Sequence, residues 1–246
     1  MDNRAVSDVL GFILIFSLIS VTIGIIYVSG VGGLDDTRDA ERVNNAERAF
    51  DVMAHNIGDI TQHGAPSRAT EVRLDDAQLS VNEEVYVEYN FINASGISEY
   101  AYNVSIKPIV YSSHTGTDLV YEGGAVIRHQ SDTSRMVNEP MFILDGDQPM
   151  VLLVRTWTPT NEDVGGSKTV RVRAIHDATT LDQTGDDEPY KMWLNVTSPR
   201  SEAWESYFND DGSCAEVVTD DNTVACRLDG VQKGSVTTIR TTIEIE

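Results

Sequence analysis

The sequence contains few basic residues. Lys and Arg number 18 against 39 Asp and Glu in 246 residues, which gives a formal charge of −21, and only 4 of the basic residues are Lys. Electrostatic binding of nucleic acid requires a basic surface against the phosphates, so we exclude nucleic-acid partners. The acidic residues are spread along the chain, a pattern typical of halophilic proteins, whose carboxylate surfaces stay hydrated in concentrated salt.

The sequence also lacks the spaced motifs of common enzymes. Its 5 histidines show no His-x-x-x-His or Cys-linked spacing, and no Gly-x-Ser-x-Gly elbow occurs. Residues 165–169 depart from phosphate-loop order and are interpreted as a turn into a strand, while residues 209–212 carry only part of a calcium loop. We expect no enzyme activity, no cofactor and no metal site, although a site assembled from distant residues leaves no such signal.

Cysteine is scarce as well, with only 2 in the chain. Cys214 and Cys226 flank a turn signal at residues 220–222, so they are placed to close a hairpin. A disulfide there is permitted outside the cell and would contribute about 3 kcal/mol, and two free thiols are the alternative.

One long stretch has no charged side chain. It covers 26 residues, Val9–Leu34. As a helix rising about 1.5 Å per residue it would extend about 39 Å, beyond the roughly 30 Å of a bilayer's hydrocarbon core. It is also longer than the apolar region of a secretory signal peptide, which runs to about 15 residues. We predict a transmembrane or filament-core helix over residues 6–34.

The residues before this stretch form a recognisable motif. Arg4 and Ala5 come directly before residues 6–11, whose sequence is VSDVLG. A charged and a small residue ahead of an uncharged helix resemble the processing site of archaeal type IV pilins and archaellins. Haloarchaeal pilins often continue Val-Ser-Pro-Val-Ile-Gly, and here Asp8 replaces the Pro. An uncleaved anchor with a chance Arg-Ala pair is the alternative.

The resemblance implies processing and partners. A prepilin peptidase would cleave between Ala5 and Val6 and remove the leader, residues 1–5. The precursor would sit in the cell membrane with its N-terminus cytoplasmic and its head outside, and the mature helix would contact other pilin subunits or copies of itself. Asp8 is the assembly candidate: it would pair with a neighbouring subunit's Val6 amine, or lie at the headgroups and cap its own helix.

Residues 35–66 are predicted to continue as an amphipathic helix that ends at Gly64. Apolar residues spaced alternately 3 and 4 apart form a narrow seam on this helix. The seam consists of Val43, Ala46, Phe50, Met53, Ile57 and Ile60. It would pack against the chain's own head or bundle with copies of itself, and both alternatives remain open at this point.

Residues 67–246 are predicted to form a β-rich head, because apolar residues now alternate with polar ones. Nine segments predict roughly nine or ten strands of an antiparallel β-sandwich. These are residues 71–81, 84–92, 101–113, 118–130, 140–146, 150–159, 168–176, 191–197 and 236–246. One short helix interrupts them, with Ser198 as N-cap and Pro199 at its first position. The order of residues 197–199 and 203–208 also resembles a C-terminal element of haloarchaeal pilin-like surface proteins.

Asn93, Asn103 and Asn195 each begin a sequon in this head. Sequons also arise by chance, but three beyond a membrane helix fit a glycosylated cell-surface domain. The expected fold class is therefore α+β. The expected function is that of a pilin-like surface protein, a minor or tip subunit acting in adhesion or surface structure, since the head is large. A membrane-anchored extracellular binding protein that never assembles is the alternative, and an anchored hydrolase is a third.

Overall fold

The computed structural model of the chain describes residues 3–160, 162–184 and 189–246, with side chains described at residues 9–27 and from residue 35 onward within those ranges. By their internal contacts, residues 1–44 form one compact unit and residues 45–246 another.

A single helix, α1 (Asn3–His63), accounts for the N-terminal part of the chain. Uncharged and then amphipathic residues, without an interior proline, allow it to continue through both segments. Gly64 follows with a φ of 68°, a left-handed conformation that glycine adopts without strain and that commonly ends helices.

The described part of the head contains a second helix, α2 (Ser201–Asp211), and sixteen strands. The strands are β1 (Ser67–Arg73), β2 (Ala77–Val81), β3 (Val85–Ile92), β4 (Ser98–Ile106), β5 (Ile109–Ser112), β6 (Thr117–Glu122), β7 (Ala125–Gln130), β8 (Thr133–Asn138), β9 (Phe142–Ile143), β10 (Met150–Trp157), β11 (Glu162–Gly166), β12 (Thr169–Gln183), β13 (Tyr190–Thr197), β14 (Glu216–Asp220), β15 (Thr223–Val231) and β16 (Ser235–Ile245).

The head is α+β and rich in strands, but the prediction of a single sandwich is wrong. Its strands form three sheets, with the orders β1-β12-β16-β10-β9 in the first, β11-β2-β5-β6-β7-β8 in the second and β14-β15-β13-β3-β4 in the third. Several predicted strands are in fact hairpins, because turns lie inside them. Asp75 and Asp76 turn between β1 and β2 with positive φ, and Gly123 and Gly124 turn between β6 and β7.

The prediction of antiparallel pairing also needs one correction. Neighbouring strands whose pairing is described run antiparallel except β10 and β16, which are parallel, with Met150 opposite Ser235 and Trp157 opposite Thr242. Parallel neighbours require a long connection. Here that connection comprises β11 to β15 and α2, so the last strand of the chain returns to the interior of the first sheet.

Two hydrophobic cores hold these layers together. The first packs the seam side of α1 against the first and second sheets and includes Phe50, whose ring centroid lies 6.4 Å from that of Tyr111. The second packs the third sheet and α2 against residues of the first and second sheets around Trp204. The first and second sheets contribute to both cores.

Helix α2 begins later than the sequence indicated. Its first residue is Ser201, and Arg200 occupies the N-cap position without a side-chain cap. The Ser198 hydroxyl instead accepts a hydrogen bond from the Arg200 N–H at 3.0 Å, one turn ahead of the helix. Trp204, Tyr207 and Phe208 are buried, as the apolar face predicted.

Candidate functional site: the exposed apolar helix and the head surfaces

The apolar part of α1 is the most unusual surface of the described chain. One helix there, Val9–Tyr27, is long and apolar enough to cross a membrane, with a mean hydropathy of 2.7. A membrane anchor and a signal sequence both meet this criterion of length and composition. None of this segment is buried, and its large apolar side chains are 52–72% exposed. Such a surface requires lipid or other protein around it.

Small residues interrupt this apolar surface. Ser17, Ser20 and Gly24 are spaced 3 and 4 apart, so they share one face of the helix. A Cβ added at Gly24 would meet nothing within 4 Å, which leaves room for the close approach of another helix. The Thr22 hydroxyl donates to the Leu18 carbonyl at 2.8 Å, so this polar group is satisfied within the helix.

The processing residues Arg4, Ala5 and Val6 and the assembly candidate Asp8 belong to α1 by their backbone, and their side chains lie outside the described ones.

The seam residues of the amphipathic segment are buried. Val43 is 4% exposed, and the five seam residues from Ala46 to Ile60 are at most 2% exposed. Those five belong to the core that α1 shares with the first and second sheets. In the structure, seam residues 46–60 therefore pack against the chain's own head, which was one of the two alternatives for the seam.

Polar contacts flank this packed part of α1. Arg128 donates to Glu47 at 3.0 Å, and Asn138 donates to Asp51 at 2.8 Å. Near the helix end, Arg68 donates to Asp59 at 3.2 Å, and this hydrogen bond lowers the pKa of the Asp59 carboxyl. The helix is thus attached to the head by its apolar face and along both polar borders.

A buried ionic cluster fixes α2. Arg200 is 5% exposed and Glu122 1%. The Arg200 guanidinium donates to Glu122 Oε2 at 2.6 Å and also to Glu83, while Trp204 Nε1 donates to Glu122 Oε1 at 2.8 Å. Burial opposes the charge on Arg200, but the two carboxylates outweigh it and raise the pKa of the guanidinium. The cluster thus links the start of α2 to Glu83 and to the end of β6.

The sequence analysis did not identify this cluster. The chain contains so many charged residues that nothing in the sequence distinguished Glu122 or Arg200 from the others. The only available signal was the position of Glu122 after four mostly apolar residues of β6, directly before the Gly123-Gly124 turn.

The two cysteines are bonded. The Cα atoms of Cys214 and Cys226 lie 5.5 Å apart, and the bridge joins the segment before β14 to β15. Residues 209–211 form the last turn of α2 and Gly212 its left-handed cap, so the partial calcium loop is a helix end. Among the described residues no group of three His, Cys, Asp or Glu could hold a metal ion.

The outer face of the third sheet carries a shallow pocket of about 510 Å³. Trp193 lines it, and the Arg227 guanidinium lies 5.7 Å from the Trp193 ring centre, a distance suited to a cation–π contact. Asn93 and Lys191 also line the pocket. The pocket therefore offers a small polar ligand an aromatic side chain to contact.

The sequons occupy three different settings. Asn93 lies in the turn between β3 and β4, Asn103 lies on β4, and Asn195 lies on β13. Asn103 and Asn195 both stand opposite Glu88 of the intervening strand, so the sheet brings these two residues into one row.

The comparison with protein families decides the chain's affiliation. A family model matches residues 4–245, which include both the apolar helix and the whole head. The chain belongs to a family of unknown function, DUF7289. No curated protein and no solved structure matches it. The family description assigns no activity to the apolar helix or to the β-rich head.

Proposed function

We propose that this chain is a pilin-like cell-surface protein, a minor or tip subunit of an archaeal type IV pilus-like filament that acts in adhesion or surface structure. The observation that carries the proposal is the contrast along α1. Residues 9–27 present apolar side chains to the surroundings, whereas residues 46–60 bury theirs in the head. Of these two segments, the first is the one available to lipid or to other subunits.

The proposed mechanism begins in the membrane. The precursor inserts through residues 9–27, a prepilin peptidase cleaves between Ala5 and Val6, and the apolar helices then exchange lipid for one another to form a filament core. In that exchange the hydrophobic effect contributes little, because lipid is as apolar as the helices. Close packing at small residues such as Ser17, Ser20 and Gly24 supplies the attraction instead.

The head would then face outward. Its surface carries most of the net negative charge of a chain at −21, which suits exposure to concentrated salt. Residues 46–60 pack against two sheets and would remain with the head when the apolar segment enters the filament.

The alternative is a membrane-anchored extracellular binding protein. The pocket around Trp193 and Arg227 favours this function, because a half-buried aromatic ring with flanking polar groups is suited to bind a small polar ligand. In this case the apolar helix would serve as a permanent anchor, and the chain would remain with membranes.

Fractionation of sheared cells tests the proposal. Native cells that produce the full chain are sheared, and the filament pellet and the membranes are probed separately. We expect the chain in the filament pellet. Gly24→Ile should reduce its share there without affecting membrane insertion, because the bulkier side chain blocks helix approach. Ile25→Leu keeps side-chain volume and is the matched control. A wild-type chain found in membranes alone would favour the anchored binding protein.

Asp8 has its own test. An ion pair with a neighbouring Val6 amine would be lost in Asp8→Asn, which should then be processed and inserted normally but excluded from filaments. A helix cap would survive the change, because Asn caps helices about as well as Asp. Normal incorporation of Asp8→Asn would therefore assign Asp8 to the headgroup level.

A further inference from the structure

Strand β4 is an exposed edge with little protection in its own sequence. It ends the order of the third sheet and pairs with β3 on one side. Its nine residues, SEYAYNVSI, include one charge, and Tyr102 is 42% exposed. Edge strands of this composition tend to pair with strands of other molecules unless charge, proline or a covering group prevents it.

The free side of β4 is covered at one end. The Ser105 carbonyl accepts a hydrogen bond from Arg155 of β10 at 2.9 Å, so the backbone of Ser105 faces away from β3. Backbone groups alternate in direction along an antiparallel strand, which places the N–H and C=O of Asn103 on the same free side. Asn103 thus lies where an incoming strand would bind.

Two sequons lie on this hairpin. Asn103 is exposed, and its Nδ2 donates to Glu88 at 2.6 Å, using one of its two amide hydrogens. Asn93 lies in the turn that leads into β4. Its Oδ1 accepts from the N–H groups of Ser95 at 3.0 Å and Ile97 at 2.9 Å, and its Nδ2 donates to Glu99 at 2.8 Å through one of its two amide hydrogens.

The third sequon is placed differently. Asn195 lies on β13, which has β3 on one side and β15 on the other. Its Oδ1 is buried and has no hydrogen-bond partner among the described groups. With strands about 4.8 Å apart, Asn103 and Asn195 are separated by about 10 Å across Glu88, so one glycan would extend over both.

We infer that Asn93 and Asn103 carry N-linked glycans that cover the free edge of β4, and that Asn195 does not. In this modification the amide nitrogen forms a bond to C1 of a sugar. The bond from C1 to the phosphate of a lipid-linked oligosaccharide donor breaks, and one amide proton is released. The donor and its transferase act outside the cytoplasm, so the inference rests on the proposed surface location of the head.

The glycan at Asn103 would act as a steric guard. A hydrated sugar chain in the middle of a nine-residue edge leaves no room for another strand to pair along it. Such a guard matters most in a filament, where many heads are held at high local concentration.

Peptide mass spectrometry of the full chain from native cells tests the inference. We expect glycan mass on the peptides that contain Asn93 and Asn103, and an unmodified Asn195 peptide. Asn103→Gln should lose one glycan and make the detergent-solubilised chain form oligomers in size-exclusion chromatography. Asn195→Gln is the matched control and should change neither the glycan mass carried by the chain nor its oligomeric state. Ser105→Ala removes the same sequon while keeping Asn103, and should behave like Asn103→Gln.

External protease added to intact cells separates the two proposals. If the protease cleaves the head and the Asn103 peptide is unmodified, the glycan inference is wrong and the surface location stands. A modified Asn195 peptide, or an Asn103→Gln chain as monomeric as the wild type, would also overturn it. If the protease cannot reach the head of intact cells, the surface location and the glycan inference both fail.

Discussion

Arg200 and Glu122 form a buried ion pair between residues 78 positions apart, joining the start of α2 to the end of β6. Trp204 donates to the same carboxylate from the next turn of α2. The pair therefore fixes the position in which the aromatic face of α2 packs into the second core. Removing either member leaves the other short of a hydrogen-bond partner in a buried site.

Arg200→Met should destabilise the full chain in detergent by about 3–5 kcal/mol, because it leaves the Glu122 charge buried without its cation. Adding Glu122→Gln should recover much of that loss, since the neutral amide still accepts from Trp204. Arg227→Met removes an arginine whose partners Glu216 and Asp229 lie at the surface, and it should cost less than about 1 kcal/mol. Urea titrations at fixed salt measure all three. Equal losses for Arg200→Met and Arg227→Met would contradict this account.

The Cys214–Cys226 disulfide should contribute about 3 kcal/mol, because it closes a loop with a sequence separation of 12 and so restricts the unfolded chain. Cys214→Ser combined with Cys226→Ala should lower the free energy of unfolding by this amount, measured by urea titration. Cys226 is fully buried, so alanine is the smaller apolar replacement there. A reductant should weaken the wild type similarly and leave the double variant unchanged. A wild type unaffected by reductant would contradict the prediction.

Stability should fall at alkaline pH because of buried tyrosines. Burial raises the pKa of Tyr121, and burial together with the hydrogen bond to Asp182 raises the pKa of Tyr89. Their unfolded forms ionise near a pH of about 10. The two buried tyrosines therefore contribute their full stability below that pH. Above it, the free energy of unfolding falls by up to about 1.4 kcal/mol per pH unit for each tyrosine. Tyr121→Phe should reduce this slope in urea titrations, and an unchanged slope would count against it.

Salt should stabilise the head. With a formal charge of −21, carboxylate repulsion acts over a Debye length of about 30 Å at 0.01 M but only about 3 Å at 1 M. The melting temperature of the full chain should therefore rise with potassium chloride. A value that stays flat from about 0.1 M to about 3 M would argue against adaptation to concentrated salt.

Local patterns in the sequence predicted local elements well. The seam spacing of α1 indicated the side chains that the structure buries, and the alternation in VYVEYNFI predicted β3, whose burial alternates in the same way. Each of these patterns indicates which side of one element faces a core. The pattern arises because every residue on that side must be apolar to pack in the core.

Relationships between distant strands could not be predicted in this way. Nothing in the pattern of β10 or β16 indicates that they pair in parallel, because alternation fixes the buried face of a strand but not its neighbour. The division into three sheets was missed for the same reason. The Arg200–Glu122 pair was missed because charged residues are normally read as surface, and its burial depends on packing between α2 and β6.

The mature N-terminus in sheared cell-surface material tests the central claim most directly. Intact-mass and N-terminal peptide analysis of the filament fraction should show a chain that begins at Val6, without residues 1–5. Ala5→Leu should retain those residues and be absent from that fraction. A wild-type chain that keeps Met1 and remains entirely in the membrane would contradict the account.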